Sequence, residues 1–189
     1  MEAVAPSHKR WTRAEYERLI DDGYFAPTEQ VELINGEILA MTPQKSRHSA
    51  VVTMIQEGLR AAFLPVAHTR AQLPLALDPD SEPEPDIAVV PGTPRDYLDA
   101  QPTAAWLVVE VADTSLAFDR RTKGPLYARA GIPDYWIANL VDNVLEVYRE
   151  PIETATGWTY RLVQSHRPGD QIAPVMAASV PLNVADLLP

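Results

Sequence analysis

The chain contains no cysteine, which excludes disulfide bonds, thiolate metal ligands and a cysteine nucleophile. No apolar run reaches the roughly 20 residues that a membrane-spanning helix needs. Because the N-terminal segment also lacks the apolar core of a secretory signal, we expect a cytoplasmic protein without membrane contact. Basic residues are scarce, with 16 Lys and Arg against 26 Asp and Glu, and the formal net charge is −10. Such a chain will not coat nucleic acid nonspecifically, so contact with nucleic acid needs a local basic patch or bridging metal ions.

What the sequence does contain is typical of one globular domain. Its 189 residues are 46% hydrophobic and 22% charged, and a chain of this length buries roughly 70% of its unfolded surface. It has no internal repeat and no linker rich in Gly or Ser. We therefore predict a single domain over residues 11–189, preceded by a flexible tail over residues 1–10.

The first part of the chain predicts a short helix followed by a hairpin. Thr12 and Glu15 have the spacing of a capping box, which predicts a helix that ends near Asp22. Asn35-Gly36 lies between two short apolar runs, and this pair favours a type I′ turn. The pattern therefore predicts a hairpin over Val31–Met41.

Two further segments predict helices. In Ser46–Leu64, apolar residues recur at helical spacing. Phe118–Ala130 is also predicted to be helical, but Pro125 interrupts it because proline lacks the amide that would bond the carbonyl of Arg121. The helix therefore either kinks at Pro125 or begins again there, and the position of Lys123 depends on which of the two occurs.

Apolar or alternating runs predict the strands. Trp106–Val111 is nearly continuously hydrophobic, which is typical of a strand covered on both faces. The others are Leu73–Leu77, Asp86–Val90, Tyr135–Leu140, Val144–Tyr148, Trp158–Val163 and Ser179–Val184. This order of elements indicates a mixed α/β or α+β domain, in which helices cover a central sheet.

Several carboxylates occur where negative charge is costly. Glu82, Glu84 and Asp86 would point the same way in an extended chain, and such crowding is unfavourable unless solvent or a cation relieves it. A solvated proline-rich loop is the simpler interpretation for Glu82 and Glu84, whereas Asp86 lies at the start of an apolar strand. Glu110 lies inside an apolar strand, so it must be paired, protonated or bound to metal, and an arginine or backbone amides could hold it equally well.

A third signal is the stripe that Asp119, Lys123 and Tyr127 would form on a helix. Taken alone, Asp119 is a residue at a helix start with Lys123 as its partner. Together with Asp86 and Glu110, the lysine forms a group of side chains suited to the hydrolysis of a phosphate ester. Two carboxylates bind a hard divalent cation such as Mg²⁺ through oxygen. The lysine can then orient or deprotonate the attacking water, or stabilise charge on a phosphate.

Three sequence blocks resemble the Uma-two family, a large bacterial family of restriction endonuclease type in the PD-(D/E)XK superfamily. They are VELINGEILAMTPQKSRHSAVV, PEPDIAVV and LVVEVADTSLAFDRRTKGPLYARAGIPDYWIANL, and the resemblance covers roughly residues 10–188. It implies a restriction-endonuclease-like fold, in which helices and additional β-hairpins flank a central mixed sheet. It also implies a metal cofactor, Mg²⁺ or Mn²⁺, and no organic cofactor.

The resemblance also assigns residues to the superfamily motif. Pro85-Asp86 is similar to the PD pair and Glu110 to the acidic residue of the next strand. Position 112 is Ala rather than Lys, and Lys123 matches the lysine that this family carries in the following helix. Glu32 matches a further acidic position that would complete the metal site, unless it is an exposed hairpin carboxylate. The implied catalytic residues are Asp86, Glu110, Lys123 and Glu32, and the implied metal ligands are Asp86, Glu110 and Val111.

His48 matches a family histidine that either contacts the site or caps the helix from Ser46, and capping is the favoured interpretation. If the site exists, Asp86 and Glu110 should lie on neighbouring strands, with carboxylates within about 7 Å of each other so that they can share one ion. Mutual repulsion and burial should then raise at least one of their pKa values.

The function hypothesis is a metal-dependent endonuclease that hydrolyses phosphodiester bonds in DNA. Because cutting both strands of a duplex calls for two sites, we expect a homodimer, with late strands or exposed aromatics such as Trp158 in its interface. The alternative is a catalytically weak or inactive protein of nuclease fold with a binding or regulatory role, tied to mobile elements.

Overall fold

A six-stranded sheet forms the centre of the structure, a computed structural model that describes residues 8–189. The α-helices are α1 (Arg13–Asp21), α2 (Ser46–Phe63), α3 (Leu116–Phe118) and α4 (Gly124–Arg129), and a π-helical turn, Asp119–Lys123, joins the last two. The strands are β1 (Val31–Ile34), β2 (Glu37–Ala40), β3 (Ala67–Arg70), β4 (Ile87–Pro91), β5 (Leu107–Ala112), β6 (Asp134–Asn139), β7 (Val144–Thr154), β8 (Gly157–His166), β9 (Gln171–Ile172) and β10 (Leu182–Asn183). Short 3₁₀ turns occur at Pro94–Tyr97, Val175–Ala177 and Val184–Asp186.

The central sheet has the strand order β3-β4-β5-β6-β7-β8. Adjacent strands in this sheet are antiparallel, except for β5 and β6, which are parallel. Two small antiparallel pairs, β1-β2 and β9-β10, lie outside this sheet. The predicted mixed central sheet with helices and additional hairpins is confirmed.

The two faces of the sheet pack against different partners. On one face, α2 contributes Val51, Ile55 and Leu59 to a cluster that contains Val109 and Val111 of β5. On the other face, residues from α4 pack on a second cluster, which includes the alternate β5 residues and a group of tyrosines; it contains Val108, Ala112, Tyr127, Ala128, Tyr135 and Tyr160. Because β5 is covered on both faces, all six of its residues are buried.

Local sequence signals account for the first elements. The Thr12 hydroxyl and the Glu15 carboxylate form both bonds of the capping box at the start of α1. Asn35 and Gly36 have φ angles of 50° and 77°, as a type I′ turn requires. The predicted hairpin is confirmed by the pairing of β1 with β2. The predicted long helix is confirmed as well, since α2 begins at Ser46 and ends at Phe63.

The predicted helix Phe118–Ala130 differs from a continuous α-helix. It begins at Leu116 and widens between Asp119 and Lys123, where the amide of Gly124 bonds the carbonyl of Asp119. Pro125 lies in the first turn of α4, directly after the π-helical turn. The backbone stays helical from Phe118 through Gly124, so the helix does not begin again at the proline, and the π-helical turn is the interruption that accompanies it.

The predicted strand Leu73–Leu77 is wrong. This segment is a loop, and the strand in this part of the chain is β3, Ala67–Arg70, which pairs with β4. The loop amides bond carbonyls on separate segments, Leu75 to Pro83 and Ala76 to Pro102, so they do not form one ladder. Of the three alternating leucines only Leu75 is fully buried, and Leu73 is 45% exposed, so the alternation does not mark the buried face of a strand.

Two later predictions also need correction. Only Leu182–Asn183 of the predicted strand Ser179–Val184 pairs with another strand. Trp158, expected to be exposed, is partly buried and packs against the cluster around Tyr135. The predicted tail over residues 1–10 falls mostly outside the described residues. Among residues 8–189, no helix is long and apolar enough to cross a bilayer.

Candidate active site

Asp86 directly precedes β4 and lies beside Glu110 on the neighbouring strand β5, close to the predicted arrangement. Ile87 of β4 pairs with Val109 of β5 in antiparallel register, so the preceding residue, Asp86, comes opposite Glu110. The amide of Asp86 bonds Oε2 of Glu110 at 3.4 Å. Both residues also line one cavity of about 360 Å³, together with Glu32, His48, Glu84, Asp119 and Lys123.

Lys123 reaches this cavity from the end of the π-helical turn. Its Nζ lies 3.1 Å from Oε2 of Glu32 and 3.1 Å from Oε1 of Glu110. Burial would lower the pKa of Lys123, but Glu110 and then Glu32 raise it above its ordinary value. The lysine is therefore a buried ammonium held between two carboxylates.

Glu110 points to the face of the sheet that α4 covers, in the same register as its neighbours Val108 and Ala112. Its Oε1 accepts two hydrogen bonds, one from the Tyr127 hydroxyl at 2.6 Å and one from Nζ of Lys123 at 3.1 Å. Burial raises the pKa of Glu110, and the charge of Lys123 opposes that shift. A lysine and a tyrosine thus hold this buried glutamate, rather than an arginine.

Asp86 is fixed from three sides. Oδ2 accepts the amide proton of Val111 at 2.8 Å and faces Nε2 of His48 at 3.1 Å. The side-chain amide of Gln44 donates a longer hydrogen bond, of 3.3 Å, to Oδ1. These contacts set the direction of the carboxylate without neutralising it by Lys or Arg.

His48 contacts the site and does not cap α2. Lys45 occupies the N-cap position of this helix, and its side chain makes no capping hydrogen bond among the described residues. Burial would lower the pKa of His48, but the adjacent Asp86 raises it above its ordinary value. Its Nδ1 is buried without a hydrogen-bond partner among residues 8–189. The favoured interpretation as a capping residue is therefore wrong.

Glu32 is buried on β1 and is not an exposed hairpin carboxylate. Its Oε2 accepts the amide proton of Glu84 at 3.1 Å and contacts Lys123. The small β1-β2 sheet thereby joins the central sheet at the cavity. Glu84 is partly buried, but Glu82 is 5% exposed, so the solvated-loop interpretation is wrong for Glu82.

Asp119 is also inside the protein rather than at an exposed helix start. It is 2% exposed, and its carboxylate accepts a bond from the hydroxyl of Ser115 at 2.6 Å. Burial raises the pKa of Asp119 to about 6, and the bond from Ser115 opposes the shift. The predicted pairing with Lys123 is replaced by the bond to Ser115, since the lysine binds Glu32 and Glu110.

Sequence reasoning did not assign roles to three residues that contact these carboxylates. Tyr127 shares the predicted stripe with Lys123, and that spacing is the signal that points to it. Gln44 lies in the first family-like block, four residues before His48. Ser115 has no distinguishing signal, because a serine before a helix is common.

Most of the chain is similar to a known protein family and to a protein of known structure. Residues 13–185 match the Uma2 family, which is described as "Putative restriction endonuclease". A solved protein of Anabaena variabilis ATCC 29413, described as a putative nuclease belonging to DUF820, has a similar fold with a TM-score of 0.71. The two chains are 17% identical, and the match covers 93% of this chain and 96% of the other. No curated protein matches the chain.

This likeness confirms a nuclease-like fold, and the family match extends from α1 to the last turn of the domain. The chain belongs to the Uma2 family of restriction endonuclease type.

Proposed function

We propose that this protein is a metal-dependent endonuclease that hydrolyses phosphodiester bonds in DNA. The observation that carries the proposal is the meeting of Asp86, Glu110 and Lys123 in one cavity, from three separate elements. Buried carboxylates and a buried lysine destabilise a fold unless they are paired, and such arrangements are concentrated at functional sites. Family membership supports nuclease chemistry at this position.

The donor chemistry of the cavity fits a hard divalent cation. We assign the binding of Mg²⁺ or Mn²⁺ to the carboxylates of Asp86 and Glu110 and to Val111, whose main-chain oxygen is its one hard donor. In residues 8–189, no three His, Asp or Glu side chains are arranged to hold a metal. When bound, the metal would polarise the phosphate and acidify a water molecule.

The side chains around these ligands have separate tasks in the proposed reaction. Lys123 is held as an ammonium by Glu32 and Glu110, so it stabilises negative charge on the phosphate and donates a hydrogen bond there. Because it already carries its proton, it does not act as the base that activates water. Tyr127 holds Oε1 of Glu110 and leaves Oε2 turned toward Asp86.

The same hypothesis includes a homodimer in the cytoplasm. Two cavities in a twofold dimer would allow both strands of a duplex to be cut. The lack of cysteine suits a reducing compartment. A net charge of −10 makes a bound metal the natural bridge between this chain and a polyanion.

Plasmid nicking in Mg²⁺ or Mn²⁺ tests the proposal. Glu110→Gln should abolish cleavage, because it keeps the shape of the side chain and removes its charge. Lys123→Ala should be nearly as damaging, because it removes the ammonium that would stabilise charge on the phosphate. The matched control is Glu57→Gln, an exposed carboxylate on α2, which should cleave at the wild-type rate.

A binding or regulatory role without catalysis is the second candidate. The net charge of −10 favours it, because phosphate contacts normally come from Lys and Arg. If wild-type protein shows no metal-dependent cleavage of DNA or RNA above the Glu110→Gln background, the enzyme proposal is wrong and the binding role replaces it.

A further inference from the structure

A second cavity, of about 720 Å³, lies between α1, the segment 82–84 and the loop around residue 99. It is larger than the candidate active-site cavity and has an unusual charge. Among residues 8–189, five carboxylates and one cation, Arg13, line it; the carboxylates are Glu17, Asp21, Glu82, Glu84 and Asp99. An acidic cavity of this size attracts positively charged ligands.

Glu82 is a buried carboxylate of this cavity that has too few hydrogen-bond donors. The residue is 5% exposed, and its Oε2 has no hydrogen-bond partner among residues 8–189. The closest cation, Nε of Arg13, is 4.0 Å away and lies nearer to Glu17, at 3.4 Å. A buried carboxylate oxygen without a donor is costly. Burial and then the charge of Glu17 also raise the pKa of Glu82 to about 7, because both disfavour the charged carboxylate.

The arrangement of the carboxylates distinguishes among cations. No three of the described His, Asp or Glu side chains are placed to hold one metal ion. The acidic groups instead come from three segments of chain, so several donors on one flexible ligand would reach more of them than a single ion. Apolar wall residues lie between them, including Ile20, Ala76 and Leu98, and Leu98 is 78% exposed. Methylene groups would cover this apolar surface.

We propose that this cavity binds a small aliphatic polyamine, whose ammonium groups pair with Glu82 and the carboxylates at the rim while its methylene segments pack on the apolar wall. Ammonium donors are charge-assisted partners for carboxylates, and their charge would offset the crowding of Glu82 and Glu17. Binding of a polyamine in this cavity would require neither nucleic acid nor metal.

Calorimetric titration with spermidine tests the proposal, with the full-length protein in EDTA and at constant ionic strength. Wild-type protein should bind spermidine saturably at one site. The double variant Glu17→Gln/Asp99→Asn should weaken binding at least tenfold, and both positions are exposed, so the fold should persist. Glu82→Gln should weaken binding by a similar factor. The matched control Glu57→Gln/Glu153→Gln makes the same charge change at exposed positions outside the cavity and should bind as wild type.

Three results would overturn the proposal. One is the absence of saturable binding to the wild-type protein. A second is equal weakening in the cavity variant and the control, which would indicate general charge attraction. The third is loss of binding in Asp86→Asn but not in the cavity variants, which would place spermidine in the other cavity. Glu84 lines both cavities and is left unchanged for this reason.

Discussion

Replacing Lys123 with methionine tests whether its charge holds the site together. Methionine keeps the length and apolar stem of the side chain but removes the ammonium between Glu32 and Glu110. Removing one partner of a buried ion pair costs about 3–5 kcal/mol, because the other charge stays buried. For a domain of this size, that corresponds to a fall in Tm of about 6–20 °C.

The loss should depend on pH with a definite sign. Burial already raises the pKa of Glu110 in the folded protein, and Lys123 is the group that opposes the shift. A carboxyl with a raised folded pKa reduces stability as the pH climbs above its unfolded value, about 4.3. Lys123→Met should therefore be more destabilising at pH 8 than at pH 5. Thermal and urea unfolding at both pH values measure the difference.

The control variants separate this charge effect from a general loss of lysine. Lys45→Met removes an exposed lysine whose side chain is 74% accessible and lies 3.5 Å from Asp113, and it should cost at most about 1 kcal/mol. Adding Glu110→Gln to Lys123→Met should restore part of the lost stability, because the unpaired charge is gone. If Lys123→Met is as stable as wild type at pH 8, or if it loses the same stability at both pH values, the charge of Lys123 does not hold the site together.

The remaining predictions concern metal binding, Glu110 and Glu82. Mg²⁺ or Mn²⁺ should raise the Tm of wild-type protein in a thermal-shift measurement, and Asp86→Asn should abolish this rise; an equal rise in both proteins would contradict the assigned ligands. Tyr127→Phe removes the 2.6 Å bond to Glu110 and should cost about 1.5–3 kcal/mol in urea unfolding, with slower plasmid nicking. Unchanged stability and nicking would show that Tyr127 does not position Glu110. Glu82→Gln should stabilise the protein at pH 8 by up to about 3 kcal/mol and far less at pH 5, because burial raises the pKa of Glu82 to about 7 and the charged form is the unfavourable one. A variant that is less stable than wild type at pH 8 would refute this sign.

Features that depend on neighbouring residues could be predicted from the sequence. The Asn35-Gly36 turn has a backbone shape that few other pairs adopt, and it forms as predicted. Glu110 was identified because one charge interrupts an otherwise apolar strand. Its burial on the same side as Val108 follows from the alternation of side chains along a strand.

Features that depend on distant segments could not be predicted in the same way. The Leu73–Leu77 pattern suited a strand, but whether a segment enters the sheet depends on which edge is free, and Ala67–Arg70 occupies that edge. The contact between His48 and Asp86 joins residues 38 apart, so no local rule decides it. Pro125 indicated an interruption but not a π-helical turn, since a kink and a restart have the same sequence signal.

The single parallel pair in the sheet, β5 and β6, has a consequence for where a lysine can be placed. Two parallel strands cannot be joined by a tight turn, so the chain must leave the sheet after Ala112, cross one face and return at Asp134. This crossover covers the face to which Glu110 points, and both Lys123 and Tyr127 lie on it. A lysine on the crossover reaches the glutamate without occupying a position in the strand. Position 112 is thereby free to be a small apolar residue, and the alanine found there packs in the core.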